Sequence, residues 1–173
     1  MKQFLSLVFL LCSITVNAQD GTTFDGQGPK TGLKGFLEAG YTVGSDLYAA
    51  DCFSFMITAG WQFDQCFFVG LGSGENYYVD TKQYAIPIYG DLRFNILDNS
   101  RSPFLDIKVG YSIADVEGLY ISPSIGCRFG FKNNTAITLG MGYEIQKTNS
   151  FSDAISNKSS RIGGLSFKLG FDF

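Results

Sequence analysis

The chain has 173 residues, close to the roughly 150 residues of one domain, so we expect one folded unit with at most a short appendage. Only 17% of its residues are charged, its net charge is -3, and it has no histidine. The lack of a Lys/Arg cluster argues against a nucleic-acid binder, and the lack of histidine excludes Ser-His hydrolases and His-ligated zinc sites. We therefore predict a protein that is not an enzyme, with no catalytic residue, bound metal or cofactor.

The first residues have the composition of a secretory signal peptide. Lys2 precedes the apolar run 4–11, and the small and polar residues that follow end in an A-x-A-like cleavage site at Ala18. This pattern predicts a signal peptide over residues 1–18 that is removed on export. Residues 19–34 are rich in Gly and Thr and are predicted to form a flexible N-terminal segment, which leaves residues 35–173 as the folded domain.

Three cysteines follow the predicted leader, at Cys52, Cys66 and Cys127. An odd number without a C-x-x-C motif argues against a complete disulfide framework, so at least one thiol is expected to stay free.

Eight runs of alternating apolar and polar residues fill the predicted domain, which is the pattern of β-strands with one apolar face. The runs begin at Leu37, Phe53, Phe67, Ile86, Leu105, Ile121, Ile137 and Leu165. Strands of about 10 residues match the 9–11 residues with which a tilted strand crosses a bilayer.

The predicted connections fall into two sets. Residues 64–65, 98–102 and 132–134 read as tight turns, whereas 44–51, 73–82 and 147–160 read as longer polar loops, with 115–118 as a short member of the second set. Short turns at one rim and long loops at the other predict an all-β, eight-stranded antiparallel up-and-down transmembrane β-barrel.

Alternation alone does not decide which face of the barrel meets water, because a soluble lipocalin-like barrel turns its apolar face inward. Here the second face consists mostly of small residues such as Gly40, Thr58 and Gly70. A soluble surface usually carries about 25–35% charged residues, and small side chains suit the narrow interior of eight strands. The pattern favours a transmembrane barrel and leaves a soluble small-ligand carrier as the alternative.

Aromatic residues are expected to form two interfacial girdles. The predicted long-loop girdle contains Tyr41, Tyr48, Tyr77, Tyr78, Tyr84 and Tyr120; the predicted short-turn girdle contains Trp61, Phe63, Phe67, Phe94, Phe104, Phe129, Phe131, Phe171 and Phe173.

The small-residue face also carries a few charges of both signs. These are Glu38, Asp91, Arg93, Asp106, Lys108, Arg128, Glu144 and Lys168. Charges enclosed by a protein wall are tolerated when they are paired, so we predict a lumenal network that plugs the barrel. The alternative is an ion or substrate pathway through a narrow diffusion pore.

Two further features bear on the rims. Pro87 and Pro123 fall inside predicted strands, where each removes a ladder hydrogen bond, and we place both at bulges that shift the inside/outside alternation. The long-loop rim is acidic and either binds divalent cations bridging to lipopolysaccharide or is simply solvated. Its acids are Asp46, Asp51, Glu75, Asp80, Asp115, Glu117 and Asp153, against Lys82, Lys147 and Lys158.

The stretches 86–94, 102–111 and 119–130 resemble the small outer-membrane β-barrel family of Gram-negative bacteria, of OmpA/OmpX type. This resemblance implies that the barrel assembly machinery reads the last strand, which ends in an aromatic residue. The matching residues are Leu165, Phe167, Leu169, Phe171 and Phe173. It also implies a cell outer-membrane location among lipid and lipopolysaccharide, but no single activity. We expect a structural, adhesive or surface-recognition role, with any extracellular ligand bound by the long loops.

Overall fold

A computed structural model describes residues 29–44, 51–131, 134–148 and 160–173. The predicted signal peptide and residues 19–28 of the predicted N-terminal segment lie outside the described residues, as do most of the loops 44–51 and 147–160.

Eight antiparallel strands form a closed barrel in which each strand pairs with its neighbours in sequence and β8 returns to β1. The strands are β1 (Gly32–Gly44), β2 (Cys52–Gln62), β3 (Phe67–Tyr78), β4 (Gln83–Asn95), β5 (Arg101–Ala114), β6 (Gly118–Gly130), β7 (Ala136–Thr148) and β8 (Ser160–Asp172). The predicted strand number and up-and-down topology are confirmed. No helix long and apolar enough to span a membrane occurs in the part of the chain that the structure describes.

Two predicted boundaries differ from the structure. β1 begins at Gly32 rather than at residue 35, so residues 32–34 belong to the barrel and not to the N-terminal segment. The predicted loop 73–82 was wrong over most of its length: β3 continues to Tyr78, and the connection to β4 is 79–82. The small and polar run from Ser73 to Asn76 looked like a loop, but its alternation continues along β3.

Three connections, 63–66, 96–100 and 131–135, lie at what we call the short-turn end of the barrel. Asp64 shapes the first of them, because its Oδ1 accepts hydrogen bonds from the backbone N–H groups of Cys66 and Phe67, each at 2.7 Å. At the opposite, long-loop end, the described connections are 79–82 and 115–117.

The predicted bulges at Pro87 and Pro123 are wrong. β4 keeps one register against β5 through Pro87, and β6 keeps one register against β5 through Pro123. Against β3, pairing resumes beyond Pro87 in the same register, from Ser73 with Ile88 to Asn76 with Ala85. Proline therefore interrupts the ladder only on the side that its missing N–H would face, and the alternation of side chains is not shifted.

The two faces of the wall are inverted relative to a soluble protein. Leu71 on the outer face is 75% exposed, whereas Arg93 on the inner face is 2% exposed. Exposed large apolar side chains recur along all eight strands, and the inner face holds the buried polar and charged residues. A lipocalin-like carrier needs the apolar stripes to face a cavity, so this arrangement contradicts that alternative.

The predicted aromatic girdles need correction at three positions. Tyr78, Tyr120 and Phe104 are buried inside the barrel, because each has the parity of the inner face. On the outer face Tyr77 packs on Tyr84 with ring centroids 4.9 Å apart. Tyr48 lies outside the described residues. The exposed aromatic residues towards the short-turn end are Trp61, Phe63, Phe67, Phe94, Phe171 and Phe173.

Candidate functional site in the barrel interior

Glycines on the inner face make room for a few large side chains. A Cβ atom at Gly72 on β3 would lie 2.6 Å from the ring of Tyr89 on β4, and one at Gly60 on β2 would lie 2.7 Å from the ring of Phe68 on β3. The interior of eight strands is just wide enough to be filled by side chains, so a large ring on one strand requires a small residue on the next.

The centre of the interior is what we call the central charge cluster, formed by Glu38, Asp91, Arg93, Asp106 and Lys108. Lys108 Nζ lies 2.6 Å from Asp106 Oδ2, 2.8 Å from Glu38 Oε2 and 3.8 Å from Asp91 Oδ2. Because Glu38 is on β1 and Lys108 is on β5, this contact spans the lumen and ties opposite walls together.

Arg93 connects the central charge cluster to the short-turn end. Its Nη2 donates to Glu38 Oε1 at 2.7 Å, and its Nη1 lies 3.8 Å from Asp172 Oδ1. The guanidinium also stacks between two rings, 4.2 Å from the centroid of Phe36 and 4.7 Å from that of Phe104. Such cation–π contacts strengthen when they are desolvated, so Arg93 is fixed by charge and by packing.

A second group of charges lies nearer the short-turn end. Arg128 Nε donates to Asp172 Oδ2 at 3.1 Å, and the buried Lys34 lies within electrostatic range of both residues. The predicted network omitted Asp172 and Lys34. Asp172 has the inward parity of Lys168, which could have identified it, and Lys34 was missed because it was assigned to the N-terminal segment.

Glu144 and Lys168 are buried inside the barrel as well, but the structure does not pair them with the central charge cluster. Glu144 accepts hydrogen bonds from Thr42 Oγ1 at 2.6 Å and from Asn76 Nδ2 at 3.2 Å. Lys168 Nζ donates to Ser122 Oγ at 2.7 Å. Of the eight predicted residues, five form the central charge cluster, and Arg128 is linked to it through Asp172 and Arg93. The remaining two, Glu144 and Lys168, hydrogen-bond to neutral side chains.

An apolar cluster, which we call the apolar cap, lies inside the barrel towards the long-loop end. It consists of Cys52, Tyr78, Ala85, Val116 and Ile162, all buried and in mutual contact. Val116 belongs to the connection 115–117 and is 1% exposed, so this connection folds inward over the lumen. This cap is not predictable from the sequence pattern, because a single valine between two acids carries no periodic signal.

Three cysteines lie among the residues that the structure describes. Cys52 is buried in the cap, and Cys66 and Cys127 are half-buried, with none of the three in a disulfide. The prediction of at least one free thiol is confirmed.

The acidic rim consists of separate contacts in the described residues. Tyr41 Oη donates to Asp51 Oδ2 at 2.6 Å, and Asp51 N–H donates to Asp80 Oδ2 at 3.2 Å. Glu75, predicted at this rim, lies instead within β3 on its exposed outer face. No group of three His, Cys, Asp or Glu side chains able to hold a metal ion is found among the residues that the structure describes.

The interior holds fixed charges against one another across the lumen. Each member of the central charge cluster has a partner on another strand, and removing either Arg93 or Lys108 leaves carboxylates uncompensated in a medium that solvates them poorly. The charges of this cluster therefore depend on one another.

Comparison with known proteins identifies structures that share this architecture. No protein-family model and no curated protein sequence matches the chain. The crystal structure of Neisserial surface protein A (NspA) superposes with a TM-score of 0.64 at 11% identity, covering 83% of this chain and 97% of that one.

Two further structures match less closely. The N-terminal β-barrel domain of Pseudomonas aeruginosa OprF has a TM-score of 0.49 at 13% identity, covering 83% of this chain and 100% of that one. The outer membrane enzyme PagL has a TM-score of 0.49 at 12% identity, covering 80% of this chain and 98% of that one.

At 11% identity the likeness to NspA establishes a shared fold and not a shared activity. Together with the closed antiparallel topology, it bears out the resemblance noted in the sequence. The protein has the fold of the small, OmpA/OmpX-like eight-stranded β-barrels.

Proposed function

We propose that the chain is exported through a cleaved signal peptide and resides in the cell outer membrane as a closed barrel with a structural, adhesive or surface-recognition role. The main support for this proposal is the exposed apolar wall that surrounds a buried, ion-paired interior. An apolar wall of this kind is stable in lipid, whereas in water it would be a large aggregation-prone surface.

Lipid and lipopolysaccharide are the proposed surroundings, and the barrel assembly machinery is the proposed partner during biogenesis. The proposed assembly signal lies on the outer face of β8, where Phe167, Leu169, Phe171 and Phe173 are exposed and Leu165 is half-buried. An exposed strand face of this kind is accessible to another protein before the barrel closes.

We further propose that the lumen is plugged and that the chain is not an enzyme. The central charge cluster spans the lumen at its middle, and the apolar cap covers it towards the long loops. A plug in the middle of the lumen assigns recognition to the long-loop end, where loops held by a rigid wall can vary without loss of the fold.

Conductance across a planar bilayer tests the plug. We expect the refolded protein to show no steady open level. Arg93→Ala removes the guanidinium from between Phe36 and Phe104 and should produce openings, whereas Lys82→Ala, at an exposed position, should remain silent. A steady open pore in the unmodified protein would contradict the plugged lumen and favour the diffusion pore.

A further inference from the structure

One buried carboxylate in the half of the lumen nearer the long-loop end has no ion-pair partner among the described residues, unlike the other buried carboxylates. Glu38, Asp91, Asp106 and Asp172 each lie within 4.0 Å of a Lys or Arg nitrogen. Glu144 is buried to a similar degree, yet no such pair involves it among the described residues. A buried carboxylate calls for a compensating cation, so its surroundings indicate what would compensate it.

Two side-chain oxygens near this carboxylate can each accept a further hydrogen bond. Asn76 donates its Nδ2 to Glu144, but its Oδ1 accepts no hydrogen bond from the described residues. The hydroxyl of Tyr120, on β6, lies within hydrogen-bonding range of Glu144 and Ser122, and its oxygen can accept a further hydrogen bond. Both Asn76 and Tyr120 are fully buried, so solvent does not satisfy them.

The hydrogen-bond acceptors of this site match the three donors of a primary ammonium group. An ammonium has three N–H donors and no acceptor, and the three acceptors available to it are a Glu144 oxygen, Asn76 Oδ1 and the Tyr120 hydroxyl oxygen. The rings of Tyr89 and Tyr120, with centroids 6.0 Å apart, add aromatic surface of the kind that attracts organic cations.

We propose that Glu144, Asn76 and Tyr120 form a binding site for the ammonium group of a small primary amine. The ligand reaches it from the long-loop end, below the apolar cap. The competing arrangement is an internal one, in which Lys168 turns from Ser122 towards Glu144; these two residues lie within electrostatic range of each other.

The connection 115–117 is suited to opening over this site. It is held to β4 by a hydrogen bond from Val116 N–H to the carbonyl of Tyr84, at 3.2 Å. Ala114, at its base, has a φ of 86°, in the left-handed region that is unfavourable for alanine. The proposed entry of the ligand requires Val116 to move outward, which would let Ala114 leave this conformation.

Thermal unfolding of the refolded chain in detergent, with methylammonium as the probe, tests the proposal. At equal ionic strength, methylammonium chloride should raise the half-unfolding temperature by about 2–4 °C, in a saturable manner, over sodium chloride. Glu144→Gln should abolish this rise, and Glu75→Gln, the same change at an exposed position on the outer face of β3, should keep it.

If Glu144→Gln fails to fold, Tyr120→Phe is the second test variant, because it keeps the buried ring and removes only one acceptor. We expect it to weaken methylammonium binding about tenfold. Equal effects of the two salts would overturn the proposal in favour of the internal Lys168 pair, and a saturable, Glu144-dependent effect of sodium would overturn it in favour of a metal-ion site. A methylammonium effect that survives in both variants would also overturn it.

Discussion

Lys108 shows how a buried charge is held in this barrel. It is inaccessible to solvent and lies between carboxylates from β1, β4 and β5, two of which are within 2.8 Å of its Nζ. The three carboxylates repel one another, so the lysine determines whether they can remain buried together.

Replacing Lys108 by methionine should therefore be strongly destabilising. The apolar stem is kept, but Glu38, Asp91 and Asp106 are left with Arg93 alone, and we expect a loss of about 3–5 kcal/mol in the free energy of unfolding. Urea unfolding in lipid vesicles measures it. Lys30→Met, at an exposed position, is the matched control and should change stability by less than about 0.5 kcal/mol. A cost below about 1 kcal/mol for Lys108→Met would contradict the assigned role of this residue.

The close approach of neighbouring strands depends on glycines at particular positions. Gly110 on β5 faces the backbone of β4 so closely that a Cβ atom would lie 2.6 Å from Tyr89 Cα, an atom that cannot move aside without moving the strand. Gly140 on β7 also faces inward, but the nearest atoms to its Cβ position are at 3.6 Å, which is ordinary contact.

These two glycines provide a matched pair at the level of the strand. We expect Gly110→Ala to cost about 1–3 kcal/mol, because overpacking forces β4 and β5 apart. Gly140→Ala should be close to neutral. The free energy of unfolding in vesicles, measured for both variants, compares them; equal costs would mean that the approach of β4 and β5 does not depend on the small residue.

How much the sequence predicts differs between elements. Period-two alternation predicted all eight strands, because a wall with one apolar face imposes that period on every strand. It also predicted the facing of most side chains, although Tyr78, Phe104 and Tyr120 were assigned to the wrong face. It also predicted which residues of the central charge cluster face inward. It did not predict which charges pair, because contacts such as Glu38 with Lys108 cross the lumen and depend on barrel tilt and stagger. Asp172 was not predicted, because it lies between two phenylalanines that were assigned to the outer face.

At the scale of the whole molecule, the part of the barrel that the structure describes encloses ten side chains of Asp, Glu, Lys and Arg, in equal numbers of acids and bases. The bases are Lys34, Arg93, Lys108, Arg128 and Lys168; the acids are Glu38, Asp91, Asp106, Glu144 and Asp172. Their local balance is uneven, since acids predominate around Lys108 and bases around Asp172. The wall outside this interior is apolar on every strand, which is the distribution that a bilayer selects.

The most direct test of this account is gel mobility of the protein from purified outer membranes, with and without boiling in SDS. A closed barrel whose backbone hydrogen bonds are satisfied around the ring, from β1 to β8, should resist SDS until heated. We predict that the protein is found in the membrane fraction and migrates at a different position before and after boiling. A protein that is soluble without detergent and shows the same mobility in both samples would contradict the account.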